Sequence, residues 1–292
     1  MKKMLVLGFF LTFSLIASVP RTEFSSPSAY LVIEALNDNV FHFEVAAGKS
    51  PGTKKPLWVS PMVSKQPDTY SGPAQFNRSS DSVETTGYRI DVSKTDLCFS
   101  IYDKSKHTAL TTFCPEKVND DWKGMSFDSG FMTNVYGLGQ YMTNVRTADG
   151  DWLSRPAGSR VWEPGPYGNV MEHHGELGGS PGKVMFPVIF AIGNRNDETL
   201  YYAFFLDNHY RQRWDFSKKH SKWRVDMYGD QMRGFFLVGK NFMDLRHQFM
   251  ELVGRPQIPP KSIFGLWMSE FGYESWGEMG GILSLLRKER FP

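Results

Sequence analysis

The residues with the greatest chemical reach lie between Asn144 and Gly182, in a segment rich in Gly, Pro and Trp. It holds Asp149-Gly150-Asp151-Trp152 and, further on, Trp162-Glu163-Pro164-Gly165-Pro166-Tyr167-Gly168. Carboxylates accept paired hydroxyl hydrogen bonds, and an indole covers a flat apolar surface. The structural alternative is ordinary turn aspartates beside a packed Trp. A connection of this length without regular structure is unusual inside a domain and is often functional. His173-His174 with Glu172 and Glu176 is the cluster that could suggest a metal. Adjacent histidines in an extended segment point to opposite sides, and no further ligand has suitable spacing, so solvated loop histidines are expected, with no metal and no cofactor.

Strands and turns must position these groups. Tyr30 to Leu36 and Val40 to Ala46 are apolar-rich runs joined through Asn37-Asp38-Asn39, which predicts a hairpin. Similar pieces follow at Tyr88 to Val92, Leu97 to Tyr102, Ala109 to Phe113, Val184 to Ile192, Leu200 to Leu206 and Arg233 to Val238. Many strands separated by turn signals favour a mainly β protein, an antiparallel sandwich or barrel. A linker begins near Gly254-Arg255-Pro256, and its Pro259-Pro260 blocks helix.

Beyond the linker the pattern changes. Ile263 to Met268 is apolar at nearly every position, as in a strand of a parallel sheet covered on both faces. A helix is predicted after it. Ser275 and Glu278 have capping-box spacing, Trp276, Met279, Ile282, Leu283 and Leu286 form one stripe, and Arg287, Lys288 and Arg290 complement the dipole of the last turn.

Hydrophobic residues make up 41% of the 292, enough for a substantial core, and most of the rings (15% aromatic) are expected to pack between sheets. A net charge of +2 from interspersed signs gives no footprint for nucleic acid. Lys2-Lys3, the apolar run Met4 to Ala17 and Ser18-Val19 read as a signal peptide over 1–19. That run is short for a membrane span, so a secreted or periplasmic protein is expected, with an uncleaved anchor as the alternative. Cys98 and Cys114 flank a polar stretch and face each other if it is a hairpin turn. Either a disulfide or two buried thiols fits. Asn77-Arg78-Ser79 is a glycosylation acceptor in a eukaryotic host.

Several stretches, in order, resemble glycoside hydrolase family 31, the retaining α-glucosidases, α-xylosidases and relatives. Tyr136-Gly137-Leu138-Gly139-Gln140 is similar to that family's Tyr-Gly-Leu-Gly-Glu, and Phe204-Phe205-Leu206-Asp207-Asn208 to its Gly-Leu-Phe-Leu-Asp-Asn. The run from Leu252 through Gly254-Arg255-Pro256, Pro259-Pro260 and Gly265 to Gly272-Tyr273 resembles the passage into the first barrel strand. The resemblance implies a galactose-mutarotase-like β-sandwich over 27–255, then over 256–292 the first β/α unit of a TIM barrel left incomplete in this chain. Both catalytic aspartates of the family lie on later barrel strands. No catalytic residue is therefore assigned, and the chain by itself is expected to be inactive.

Val225-Asp226-Met227-Tyr228 superficially resembles the nucleophile motif but lacks its Asn-Glu, and an exposed strand position is expected for Asp226. In the family a loop from the sandwich lends a polar residue beside the sugar. By position this makes Asp149 and Asp151 substrate-binding candidates and Trp152 a stacking face. Ser269-Glu270-Phe271-Gly272-Tyr273 resembles the family's Ser-Arg-Trp-Gly-Tyr, so Phe271 is a candidate sugar-facing ring at a strand end, or a packed aromatic, while Glu270 departs from the family's Arg. The implied partner is an α-linked oligosaccharide or glycoside. The competing reading is a non-catalytic sandwich that binds a carbohydrate or a protein.

Overall fold

Alternation of buried and less buried side chains builds several strands of this chain. In the strand Tyr88–Val92 the side chains of Tyr88, Ile90 and Val92 are buried. Arg89 and Asp91 point the other way and pair at 2.7 Å. One face of a pleated strand thus meets the core and the other meets water.

The computed structural model describes residues 19–47, 60–106, 108–117, 122–128, 132–138, 155–156, 161–162, 187–195, 197–208, 212–215, 222–229, 231–265, 267 and 273–291. In chain order the first strands are β1 (Arg21–Ser25), β2 (Ala29–Ala35), β3 (Val40–Ala47), β4 (Asn77–Arg78), β5 (Ser82–Glu84) and β6 (Tyr88–Val92). Next come β7 (Phe99–Asp103), β8 (Thr108–Lys117), β9 (Trp122–Phe127), β10 (Met132–Gly137), β11 (Arg155–Pro156) and β12 (Val161–Trp162). The last are β13 (Val188–Arg195), β14 (Glu198–Leu206), β15 (Gln212–Asp215), β16 (Trp223–Tyr228) and β17 (Gln231–Val238). The helix α1 (Phe242–Val253) follows, and later α2 (Trp276–Lys288).

The strands form two sheets in which every described pairing is antiparallel. The first runs β1-β2-β3-β17-β14-β13-β10-β11 and the second β12-β15-β16-β9-β8-β7-β6-β5-β4. The expected hairpin is β2–β3, and Asn37 Oδ1 closes its turn by accepting from the N–H groups of Asn39 and Val40. Inner faces of the two sheets meet through rings. Phe43 of β3 lies 5.5 Å from Phe99 of β7, and Phe113 of β8 lies 5.1 Å from Phe204 of β14. This is a β-sandwich. Cys98 and Cys114 continue the β7–β8 register beyond Phe99 and Phe113, and they form a disulfide, deciding between the two alternatives.

Seven of the eight residues of β17 are buried, because its outer face is covered as well. Helix α1 lies there. Asn241 caps it by accepting from the Asp244 N–H, and Leu245, Phe249 and Leu252 turn one stripe onto Phe205, Phe235 and Leu237.

Contacts divide the chain into two units, Met1–Gly254 and Arg255–Pro292. In the second unit Ile263 and Phe264, the start of the strand expected over Ile263 to Met268, lie in a 3₁₀ turn over Lys261–Phe264, and Leu266 and Met268 lie outside the described residues. A strand needs a ladder partner, and no described strand pairs with this run. Helix α2 forms where the sequence places it. Ser275 Oγ accepts from the Glu278 N–H, but the Glu278 carboxylate accepts from the Glu274 N–H instead of from Ser275. Arg290 is not in the last turn. It sits at φ 52°, with Phe291 N–H donating to the Leu286 carbonyl, the hydrogen bond of a Schellman cap. No residue of α2 is buried, and Trp276 is 85% exposed.

Candidate functional site

The two motif-bearing strand ends meet at one end of the first sheet. β10 finishes at Gly137-Leu138 and β14 at Leu206-Asp207-Asn208, and both flank the start of β13. Leu138 N–H donates to the Val188 carbonyl, and Leu206 N–H to the Pro187 carbonyl, each at 2.9 Å. Gly137 has φ +127°, and a Cβ there would fall 2.1 Å from the Val188 carbonyl oxygen. Only glycine fits that approach.

Asp207 is 1% exposed. Its Oδ2 accepts from the Ser60 N–H at 2.8 Å, and its own N–H donates to the Arg233 carbonyl. A second buried chain stands beside it. Trp214 Nε1 donates to Gln212 Oε1, and Gln212 Nε2 donates to the Asn208 carbonyl. The Leu-Asp-Asn stretch therefore ties three separate pieces of backbone together. Sequence reading missed Gln212 and Trp214 because neither stands in a motif.

Asp149, Asp151, Trp152 and Phe271 all lie outside the described residues, as do His173, His174, Glu172 and Glu176. Two described pieces of the long segment do reach the sheets. β11 pairs with β10 at the edge of the first sheet, and β12 pairs with β15 at the edge of the second. In sequence, Asp149, Asp151 and Trp152 stand just before β11.

Asp226 corrects an expectation. It is on a strand, β16, but it is buried and accepts from Arg224 Nε at 2.6 Å, while Arg224 Nη1 donates to Glu116. A neighbouring cation lets a carboxylate leave water, so strand position alone was a poor guide to exposure. A second buried pair is His42 and Glu34, with Nδ1 to Oε2 at 3.0 Å and the imidazole stacked on Phe235. These residues face each other across the β2–β3 hairpin, so its turn could have revealed them. Among the described residues no group of three or more His, Cys, Asp or Glu is arranged to hold a metal ion.

No protein-family model matches the sequence, and no curated protein matches it. Solved structures do. A dextranase of Flavobacterium johnsoniae, complexed with isomaltotriose, superposes at TM-score 0.68 with 17% identity, over 94% of this chain and 32% of its own. The chain shares the fold of the matched part of this glycoside hydrolase family 31 enzyme.

An α-xylosidase of that family from a soil metagenome, complexed with xylose, matches at TM-score 0.63 and 12% identity, over 95% of this chain and 40% of its own. The α-1,4-glucan lyase of Gracilariopsis lemaneiformis matches at TM-score 0.58 and 13% identity, over 81% of this chain and 29% of its own. The chain thus spans only 29% to 40% of the length of these family 31-like structures. A hydrolase and a lyase share the fold, so the fold by itself does not choose the reaction.

Proposed function

We propose that this chain is the N-terminal part of an exported, retaining α-glycoside hydrolase of family 31, acting on O-glycosyl bonds of α-linked carbohydrates. The observation that carries this reading is the fold match over 94% of the chain to a carbohydrate-active enzyme. The ordered stretches at Tyr136 and Phe204 support it, since they end strands on either side of β13.

In this reading the first unit is a sandwich of the galactose-mutarotase type, residues 1–19 direct export, and residues 256–292 open a (β/α)8 barrel. Retaining hydrolysis uses two carboxyl groups about 5 Å apart, one nucleophile and one acid/base. Aspartates on barrel strands beyond residue 292 supply them. The first attacks the anomeric carbon while the second protonates the leaving oxygen. The second then takes a proton from the water that releases the sugar, with net retention. This chain contributes the substrate side. Asp149 and Asp151 accept sugar hydroxyls, and Trp152 and Phe271 cover the apolar face of a pyranose.

Chromogenic α-glucoside and α-xyloside provide the test. The purified 292-residue chain is expected to turn over neither. A protein extended by the coding sequence downstream of Pro292 is expected to hydrolyse one of them with retention, read by NMR of the first-formed anomer. Turnover by the shorter chain, or a downstream frame without two barrel aspartates, overturns the reading.

A further inference from the structure

A cleft of about 590 Å³ opens between the two sheets at the end where β3 finishes and β17 begins. The register puts this at the same end of the first sheet as Leu206 and Leu138. Its volume lies within the range of small-ligand sites, about 300–1,000 Å³. Apolar side chains come from both sheets, including Ala29, Val45 and Met232 from the first and Pro115 from the second. Around them stand the polar groups of Ser28, Thr95, Asp96 and Lys123.

The state of each polar group narrows the ligand. Glu116 also lines the cleft, but its carboxylate is held by Arg224 at 2.7 Å. Asp96 is exposed, and the Ser93 hydroxyl and the Cys98 N–H hold its carboxyl below the usual range, so it stays charged near neutrality. The hydroxyls of Ser28 and Thr95 make no side-chain hydrogen bond among the described residues. A carboxylate and an ammonium on one cleft disfavour a ligand with a net charge of either sign. A neutral molecule with hydroxyls to donate and accept, and an apolar face for Val45 and Met232, suits both.

We propose that this inter-sheet cleft binds a neutral oligosaccharide. The choice of sugar over other neutral polyols rests on the carbohydrate reading above. Occupancy at this site would hold the sandwich on a polymeric glycan.

The test is isothermal titration of the 292-residue chain with isomaltotriose and with maltotriose. At least one is expected to bind, with affinity lowered by about tenfold or more in Asp96→Asn and in Ser28→Trp, which fills the mouth. Far-ultraviolet circular dichroism establishes that both variants remain folded. Lys65→Ala, at an exposed ion pair with Glu251 that does not line the cleft, is expected to bind within about twofold of the parent. Loss of binding in Asp149→Ala/Asp151→Ala with none in the cleft variants moves the sugar to the long segment, which sinks the cleft and spares the carbohydrate reading. Absence of binding to the parent chain also overturns the cleft, while hydrolysis by the extended protein separately decides the reaction. Tighter binding of glucuronic acid than of either trisaccharide overturns the neutral class.

Discussion

Ser60 and Asp207 are 147 positions apart in the chain, yet the Ser60 N–H donates to Asp207 Oδ2 at 2.8 Å in a buried site. This single carboxylate anchors the chain entering the 60–70 region, whose Val63 and Tyr70 then join the apolar cluster over the outer sheet face. Asp207→Ala leaves a buried N–H without its acceptor, at a cost of about 1–3 kcal/mol. Asp207→Asn keeps an acceptor oxygen and is expected to lose less. Chemical denaturation of the three proteins checks the order, and equal stability of the Ala variant and the parent would contradict the anchoring role.

The Cys98–Cys114 disulfide closes a loop with a sequence separation of 16. Chain-entropy arguments put its contribution at about 3 kcal/mol. The double variant Cys98→Ala/Cys114→Ala is expected to unfold at lower denaturant with the same two sheets retained. A midpoint unchanged by removing the bridge would show that the β7–β8 ladder alone sets stability there.

Burial, aided by the Asp103 and Asp244 carboxylates, pushes the Tyr88 phenol from 10.0 up to about 12. Burial also raises Tyr30, Tyr70 and Tyr202. A phenol that stays protonated in the fold but ionises in the unfolded chain stabilises the fold below its unfolded value. For Tyr88 that contribution is intact below about pH 10 and disappears as the pH climbs through about 12. Melting temperature should therefore drop across this alkaline window. A flat profile there, with phenolate absorbance already complete at its lower edge, would contradict the burial argument.

Phe264 is 74% exposed and Trp276 85% exposed in the second unit. Large apolar side chains left in water invite association and cleavage. Limited proteolysis is expected to cut between Gly254 and Ser275 before it touches the sandwich. Phe264→Ser/Trp276→Ser should reduce self-association in sedimentation velocity, and identical sedimentation of variant and parent would rule out these side chains as its cause.

Sequence periodicity carried much of the sandwich. The β2–β3 hairpin, β6 and β14 were legible because one or both faces are apolar and their turns carry Asn, Asp or Gly. β9 was not, since Trp122-Lys123-Gly124 interrupts the pattern with polar or small residues that the neighbouring strand tolerates. The strand expected at Ile263 shows the converse. A local apolar run states that burial is favourable, but not which partner supplies the ladder.

By itself the sequence determined which residues alternate, where α2 begins, that Cys98 and Cys114 lie opposite each other if their turn closes, and which family the ordered motifs resemble. Those properties depend on neighbours a few positions apart. Only the tertiary structure decided that Glu116 meets Arg224 beside the buried Asp226, that Asp207 holds Ser60, and that a mixed polar and apolar cleft opens between the sheets. Each of these depends on residues distant in the chain meeting in space, and the free energy of a polar group is set by those meetings.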